Sequence, residues 1–169
     1  MEKYLVINAG SSSLKFSLYE MPSEELLING YFEKIGHKDS FWTLKINGEK
    51  IKREGYLSNH SDAVMKMIDE LLVNKIIDSM DEIKGVGHRV LHGGEIYSDS
   101  IEITDKVLED IIDLTKLGPL HHPGEIAGIK AMIESSKECG GSWDKVFQLV
   151  KDKFNVDSET AEKCMKLYW

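Results

Sequence analysis

The first third of the chain carries the short apolar and alternating patterns that are typical of β-strands. Tyr4 to Ile7 is an apolar run of the kind found in a buried strand. Leu14, Phe16 and Leu18 then alternate with more polar neighbours, which is the period of a second strand. A third apolar stretch, from Leu26 to Phe32, follows after a short break. The pattern predicts three consecutive strands before residue 33.

Two more runs, residues 41–46 and 50–53, flank the dipeptide Asn47-Gly48. Asn and Gly both tolerate positive φ angles, so an Asn-Gly pair between two such runs is a strong signal for a tight β-hairpin. With the preceding strands, this hairpin predicts an antiparallel meander.

Beyond residue 55 the apolar positions recur mostly at helical spacing. Three helices are predicted, the first behind the cap candidates Ser58 and Asn59, the second behind Thr104 and the third starting near Pro123. Their apolar positions are Val64, Met67, Ile68, Leu71 and Leu72; then Val107, Leu108, Ile111 and Ile112; then Ile126, Ile129, Ala131 and Ile133. A short strand, Gly85 to Leu91, is predicted between the first and second helices.

Composition narrows the class of protein. The chain has 169 residues, 41% of them hydrophobic and 30% charged, which suits one folded domain with or without an appendage. Its 29 acidic and 21 basic residues give a net charge of −8, opposite to the balance of a general nucleic-acid binder. No apolar run approaches the roughly 20 residues that span a bilayer, no signal peptide is recognisable, and two cysteines make no disulfide framework. We therefore expect a cytoplasmic protein with neither nucleic acid nor membrane as a partner.

The turn between the first two strands is the first candidate site. Asn8-Ala9-Gly10-Ser11-Ser12-Ser13-Leu14-Lys15 can present backbone N–H groups, hydroxyls and an ammonium group to an anion. No Gly-Lys-Ser/Thr sequence opens a helix here, so it is not a Walker A loop. Two interpretations stay open on composition alone: an anion-binding turn and an ordinary polar hairpin tip.

Arg89 is the second candidate, within the segment from Gly87 to Gly94. An arginine in an otherwise apolar strand either binds an anionic ligand or pairs with an internal carboxylate. His88 and His92 would stand about 13 Å apart on a strand rising roughly 3.3 Å per residue, so a shared zinc ion is not expected.

The loop from Pro119 to Pro123 is the third candidate. Its prolines restrict the backbone and therefore the directions that the His121 side chain can take. This histidine can serve as a hydrogen-bond donor or as an acid or base. A capping or surface histidine is the structural alternative. His37 and His60 have no supporting constellation in the sequence.

Taken together, three motifs resemble the acetate kinase family. They are Val6-Ile7-Asn8-Ala9-Gly10-Ser11-Ser12-Ser13-Leu14-Lys15, then Gly87-His88-Arg89-Val90-Leu91-His92-Gly93-Gly94-Glu95, then Pro119-Leu120-His121 with Gly128-Ile129. Their order and separation match the N-terminal half of that family, over residues 1 to about 133. The resemblance implies an α/β fold of the actin, sugar-kinase and heat-shock-ATPase (ribonuclease H-like) type. It also implies reversible transfer of the γ-phosphoryl group of ATP to acetate, with Mg²⁺.

By motif match, the resemblance also implies roles for individual residues. Asn8 corresponds to the magnesium-side ligand, Arg89 and His121 to substrate-binding residues, and Ser11, Ser13 and Lys15 to the ATP side. Acetate, or propionate, is the implied substrate. A homodimer and a complementary chain carrying the second domain are the implied protein partners.

The sequence departs from the family in two places. His122 stands where the family usually has Asn, and after about Glu134 the match stops. The catalytic Asp, the transition-state His and Arg and most of the second domain of the family have no counterpart. We expect an N-terminal-type domain over residues 1–134 and an unrelated helical appendage over residues 135–169. The chain would then be a partial acetate kinase; the alternative is a non-catalytic anion-binding or interaction module.

Overall fold

The computed structural model describes residues 1–91 and 93–138, and its centre is a six-stranded mixed sheet. The strands are β1 (Glu2–Ala9), β2 (Leu14–Met21), β3 (Glu25–Glu33), β4 (Phe41–Ile46), β5 (Glu49–Glu54) and β6 (Ile83–His88). Their order in the sheet is β5-β4-β3-β2-β1-β6. β1 to β5 pair antiparallel with their sequence neighbours, which confirms the predicted meander, and β6 adds to β1 in parallel.

The turn between β4 and β5 has the backbone that its sequence predicts. Asn47 and Gly48 have φ angles of 51° and 85°. Positive φ at both central residues gives the turn a twist that matches the two strands it joins. The predicted Asn-Gly hairpin is therefore confirmed.

Three α-helices follow the sequence pattern closely. They are α1 (His60–Val73), α2 (Asp105–Asp113) and α3 (His122–Glu138), with 3₁₀ turns at Met80–Glu82 and Leu114–Lys116. The side chain of Asn59 accepts a hydrogen bond from the Asp62 amide at 3.0 Å, which makes Asn59 the N-cap of α1. Thr104 caps α2 by accepting from the Val107 amide at 3.3 Å.

The hydrophobic core gathers residues of the sheet and of α1 and α3. Fully buried side chains include Leu5, Ile7, Leu14, Phe16, Leu18, Ile28, Phe32, Leu44, Met67 and Leu71. In the middle of β3, a Cβ at Gly30 would lie 2.1 Å from Phe16 Cε1. A glycine is needed there because the phenylalanine ring fills the space that a side chain would take.

The strand predicted over Gly85 to Leu91 is shifted. β6 begins at Ile83 and ends at His88, so Arg89 and Leu91 lie beyond it. The boundary expected between residues 134 and 135 falls inside α3. Most of the helical appendage expected over residues 135–169 lies outside the described residues, so the division into domain and appendage stays a prediction.

None of the helices in the described residues has both the length and the apolar character needed to cross a membrane.

Candidate functional site

The parallel pairing of β1 with β6 brings the first two sequence candidates together. Ile7 pairs with His88, and the Arg89 amide donates to the Ile7 carbonyl at 3.0 Å. Arg89, the residue after His88, is therefore adjacent to Asn8, the residue after Ile7, near the ends of β1 and β6. Both side chains are half-buried. We call this edge, together with the turn that follows β1, the turn end of the sheet.

The turn over residues 10–13 joins β1 to β2 and is held on two sides. The Gly10 amide donates to the Ser13 carbonyl at 2.8 Å, and the Ile35 amide donates to the Ser12 carbonyl at 2.9 Å. The Nε2 atom of His60, at the start of α1, lies 2.7 Å from the Gly10 carbonyl oxygen. The turn is thus a hairpin tip in a fixed conformation, and its Ser11 side chain is exposed.

Lys15 lies on the strand next to Asn8 and turns toward the middle of the sheet. It is the cross-strand partner of Asn8 on β1 and of Tyr31 on β3. Its Nζ atom lies 4.7 Å from the centre of the Tyr31 ring, a cation–π contact. Both residues line a shallow groove of about 410 Å³ on the sheet. The ammonium group is therefore directed toward β3, on the side of β2 away from Arg89.

The start of α3 packs directly on the turn. A Cβ at Gly124 would lie 2.2 Å from the Gly10 carbonyl oxygen, and one at Gly128 would lie 2.9 Å from the Ala9 Cβ. His121, immediately before α3, is exposed, and its amide donates to the Gly118 carbonyl at 3.1 Å. The structure therefore brings the third candidate segment to the same turn end as the first two.

Arg89 has a carboxylate neighbour on α3. Partial burial lowers the pKa of the Arg89 guanidinium, and the negative charge of Glu125 opposes that shift. Arg89 therefore interacts electrostatically with an internal acidic residue, one of the two interpretations from the sequence, and the binding of an anionic ligand stays a prediction. Its ordinary pKa is so high that the guanidinium stays charged at neutral pH.

Two residues that contact the turn end, His60 and Glu125, were not predicted as site residues from the sequence. His60 was assigned no constellation, yet it contacts the Gly10 carbonyl from fifty positions away, and no local pattern marks such a contact. Glu125 is 2% exposed and accepts a hydrogen bond from the Leu91 amide at 2.9 Å. A weak signal existed for Glu125, because an acidic residue in the first turn of a predicted helix interacts favourably with the helix dipole.

The turn end offers one oxygen ligand of the kind that suits a magnesium ion bound mainly by phosphates. The amide oxygen of Asn8 is a hard ligand of the kind that Mg²⁺ accepts. Within residues 1–91 and 93–138, no group of three or more His, Cys, Asp or Glu side chains could hold a metal ion. Mg²⁺ usually keeps several waters and binds substrate phosphates with only one or two protein ligands. Asn8 therefore fits such an ion as one ligand, with the phosphates supplying others.

The order of these elements defines the class of protein. An antiparallel meander extended by a parallel strand, with helices on the sheet and a polar turn between its first two strands, is the α/β arrangement of actin-like ATPase folds. In solved structures the chain is similar to the Porphyromonas gingivalis acetate kinase, with a TM-score of 0.77 and 41% identity, covering 79% of this chain and 34% of that one. It is also similar to a propionate kinase from Francisella tularensis, with a TM-score of 0.74 and 34% identity, covering 82% of this chain and 35% of that one.

The chain belongs to the acetokinase family, whose model matches residues 3–140. The acetate kinase of Bacillus cytotoxicus is 54% identical to it over 134 residues, which is 79% of this chain and 34% of that protein. The chain therefore spans about one third of the length of the curated relatives that it matches. These matches confirm the family and the fold that the three motifs indicated.

Proposed function

We propose that this chain forms the substrate-binding wall of an acetate or propionate kinase, which transfers the γ-phosphoryl group of ATP to a short carboxylate. The observation that carries the proposal is the meeting of three segments at one end of the sheet. Asn8 and Arg89 are adjacent through the β1–β6 pair, and the start of α3, preceded by His121, packs on the turn that follows Asn8. A cytoplasmic location, where ATP is abundant, fits this reaction.

The chemistry of the reaction suits these side chains. A short carboxylate is already ionised at neutral pH, so the nucleophile needs no general base. Phosphoryl transfer to it brings two anions together, and catalysis then consists mainly of positioning and of neutralising charge. The guanidinium of Arg89 matches a carboxylate in a bidentate geometry, and the exposed His121 adds a donor beside it.

We assign the ATP side of the proposed site to β1, to β2 and to the turn between them. Ser11 and Ser13 supply hydroxyl donors, and Lys15 supplies a cation that its contact with Tyr31 orients. Asn8 would hold a magnesium ion, which supplies charge neutralisation at the phosphates when bound. These local cations and donors must overcome the repulsion between anionic substrates and a chain of net charge −8.

Turnover requires more protein than this chain. It spans only 34% of the relative from Bacillus cytotoxicus. We propose that the remaining two thirds, supplied by a complementary chain or by further sequence, complete the site. A homodimer of this chain would supply only a second copy of the same wall. Removal of one preorganised charge-stabilising group commonly costs about 10² to 10³ in rate, so the absence of several leaves little activity.

The test combines this chain with the remaining two thirds of the Bacillus cytotoxicus acetate kinase, expressed separately. Acetyl phosphate is measured as its hydroxamate for the chain alone, for the mixture, and for mixtures that contain Arg89→Ala or Lys84→Ala. We expect turnover only in the mixture, and a decrease of about 10² or more with Arg89→Ala. Lys84 is the matched control, because it is an exposed cation on β6, the strand that Arg89 follows, and its Nζ atom donates to the Asp81 carbonyl at 2.7 Å.

Two results would contradict the proposal. One is a mixture that forms a complex but makes no acetyl phosphate, which favours the alternative of a non-catalytic module. The other is equal activity of Arg89→Ala and Lys84→Ala, which would remove Arg89 from the substrate site.

A further inference from the structure

Glu125 is a buried carboxylate that joins the segment after β6 to the start of α3. Its Oε1 atom accepts the Leu91 amide hydrogen bond at 2.9 Å. Its own amide donates to the His121 carbonyl at 3.3 Å, within the first turn of α3. Burying a carboxylate costs folding free energy unless it is paired and hydrogen-bonded. A buried carboxylate at this junction therefore indicates a specific role.

We infer that Glu125 is a positioning residue, which fixes the Arg89–Leu91 segment on α3 and thereby sets the place of the Arg89 guanidinium at the turn end. The consequence for substrate rests on the proposed function, because it requires that Arg89 binds the carboxylate. The fixing of the segment does not depend on that proposal.

The segment needs such an anchor because it lies beyond the sheet. β6 ends at His88, and the last ladder bond joins the Arg89 amide to the Ile7 carbonyl. From Val90 onward, the sheet no longer determines the path of the backbone. The hydrogen bond from the Leu91 amide to Glu125 is the next constraint along the chain, two residues after Arg89.

The negative charge of Glu125 acts on Arg89 as well. Its charge favours the ionised guanidinium against the effect of burial. Its position in the first turn of α3 places the carboxylate near the positive end of the helix dipole, which lowers the cost of burying it. Its second oxygen, Oε2, lies 3.9 Å from Nε2 of the buried His122. The carboxylate thus stands between the Arg89 segment and His122.

The helix that carries Glu125 also contacts the turn over residues 10–13. Gly124, the residue before Glu125, lies so close to Gly10 that a Cβ would come within 2.2 Å of its carbonyl oxygen. Glu125 therefore fixes the Arg89 segment to a helix that already contacts the Asn8 turn. Glu125, through α3, thus links the Arg89 segment to the turn over residues 10–13.

The experiment uses the full chain and three variants: Glu125→Ala, Glu125→Gln and Glu134→Gln. Glu134 is the matched control, because it is exposed on the same helix. Amide hydrogen exchange is followed by NMR at Leu91 and, as a reference for global unfolding, at Leu5 in the centre of the sheet. Arg53 and Arg89 are the only arginines of the sequence, so two Nε–H signals report on both guanidinium groups.

We expect Glu125→Ala to accelerate exchange at Leu91 about tenfold relative to Leu5, because the amide loses its acceptor. Glu125→Gln keeps an acceptor oxygen and should leave exchange at Leu91 within about threefold of the unaltered chain. Both Glu125 variants should shift the Arg89 Nε–H signal and leave the Arg53 signal in place, and Glu134→Gln should change neither readout. Unchanged exchange at Leu91 in Glu125→Ala, or an unchanged Arg89 signal in both Glu125 variants, would overturn the inference.

Its consequence for substrate is measured in the reconstituted mixture. Glu125→Ala should raise the KM for acetate about tenfold and leave the KM for ATP within about twofold, with Glu125→Gln between the two. An unchanged KM for acetate beside altered NMR signals would overturn the link to substrate. If the mixture with the unaltered chain does not phosphorylate acetate, the proposed function fails, and the two NMR readouts still decide whether Glu125 positions the segment.

Discussion

At the scale of single residues, the buried side chain of His88 makes the stability of the fold depend on pH. The side chain ends β6 and is 6% exposed, and burial lowers its pKa from 6.5 to about 3. Between these values the unfolded chain binds a proton that the folded chain does not, so stability rises with pH across this window and is lost as pH falls from 6.5. We expect the unfolding free energy measured with urea to fall by about 1 kcal/mol per pH unit as pH falls from 6.5 to 4.5.

His88→Gln tests this, because glutamine does not titrate. The difference in unfolding free energy between the unaltered chain and His88→Gln should shrink or reverse as pH falls from 6.5 to 4.5. His37→Gln, with an exposed side chain, is the control and should follow the unaltered chain. Parallel curves for the unaltered chain and His88→Gln over this range would show that burial does not keep the imidazole neutral.

Individual residues of the candidate site were predictable to very different degrees. Asn8 was a candidate because it begins a polar turn after an apolar strand, and Arg89 was a candidate because it is a charged residue in an otherwise apolar segment. Their proximity follows from the parallel β1–β6 pairing, which no local pattern encodes. The roles of His60 and Glu125 depend on contacts 50 and 34 positions away, with Gly10 and Leu91. Such contacts exist only once the chain has folded.

At the scale of elements, the β4–β5 hairpin separates the cost of a backbone angle from the cost of packing. Gly48 has a φ of +85°, and a Cβ there would meet nothing within 4 Å. Gly48→Ala should therefore lower the free energy of unfolding by about 1 kcal/mol through the left-handed conformation alone. The measurement is urea unfolding at neutral pH.

Gly87→Ala is the matched control for the hairpin. A Cβ at Gly87 also meets nothing within 4 Å, but the residue lies in β6 and has no positive φ. Alanine there should leave stability unchanged or raise it slightly, because it restricts the unfolded chain. Equal losses in both variants would mean that backbone conformation does not distinguish the two positions.

The ends of elements were less predictable than their existence. The apolar pattern correctly indicated a strand near Gly87 but extended it to Leu91. The ladder between β1 and β6 ends where the Arg89 amide donates to the Ile7 carbonyl, although β1 itself continues to Ala9. The Leu91 amide donates instead to Glu125 on α3, and periodicity within one segment contains no information about such a distant partner. The start of helix α1 was better predicted, because the residue that marks it, the N-cap Asn59, directly precedes the helix.

At the scale of the whole molecule, the sheet has two ends with different surroundings. The turn end carries Asn8 and Arg89 together with the start of α3. At the other end of β1, Lys3 donates to the Ile76 carbonyl at 2.8 Å and contacts Glu82 at 2.5 Å. The meander was predictable strand by strand, whereas the fold as a whole was accessible only through the spacing of three motifs along 130 positions. Composition and charge excluded classes of protein and identified none.

Under the proposed function, the contrast between the two ends predicts where the remaining two thirds of an acetate kinase would bind. Mixing this chain with the remaining two thirds of the Bacillus cytotoxicus acetate kinase should slow hydrogen exchange at residues 8–15, 89–91 and 118–124, because a phosphoryl-transfer site must exclude water from its reacting groups. Residues 74–82, at the opposite end of the sheet, serve as the internal control and should exchange at the same rate in both samples. Mass spectrometry of peptic fragments resolves these segments. Protection confined to residues 74–82, or spread evenly over the chain, would show that the complementary part does not close over the turn end.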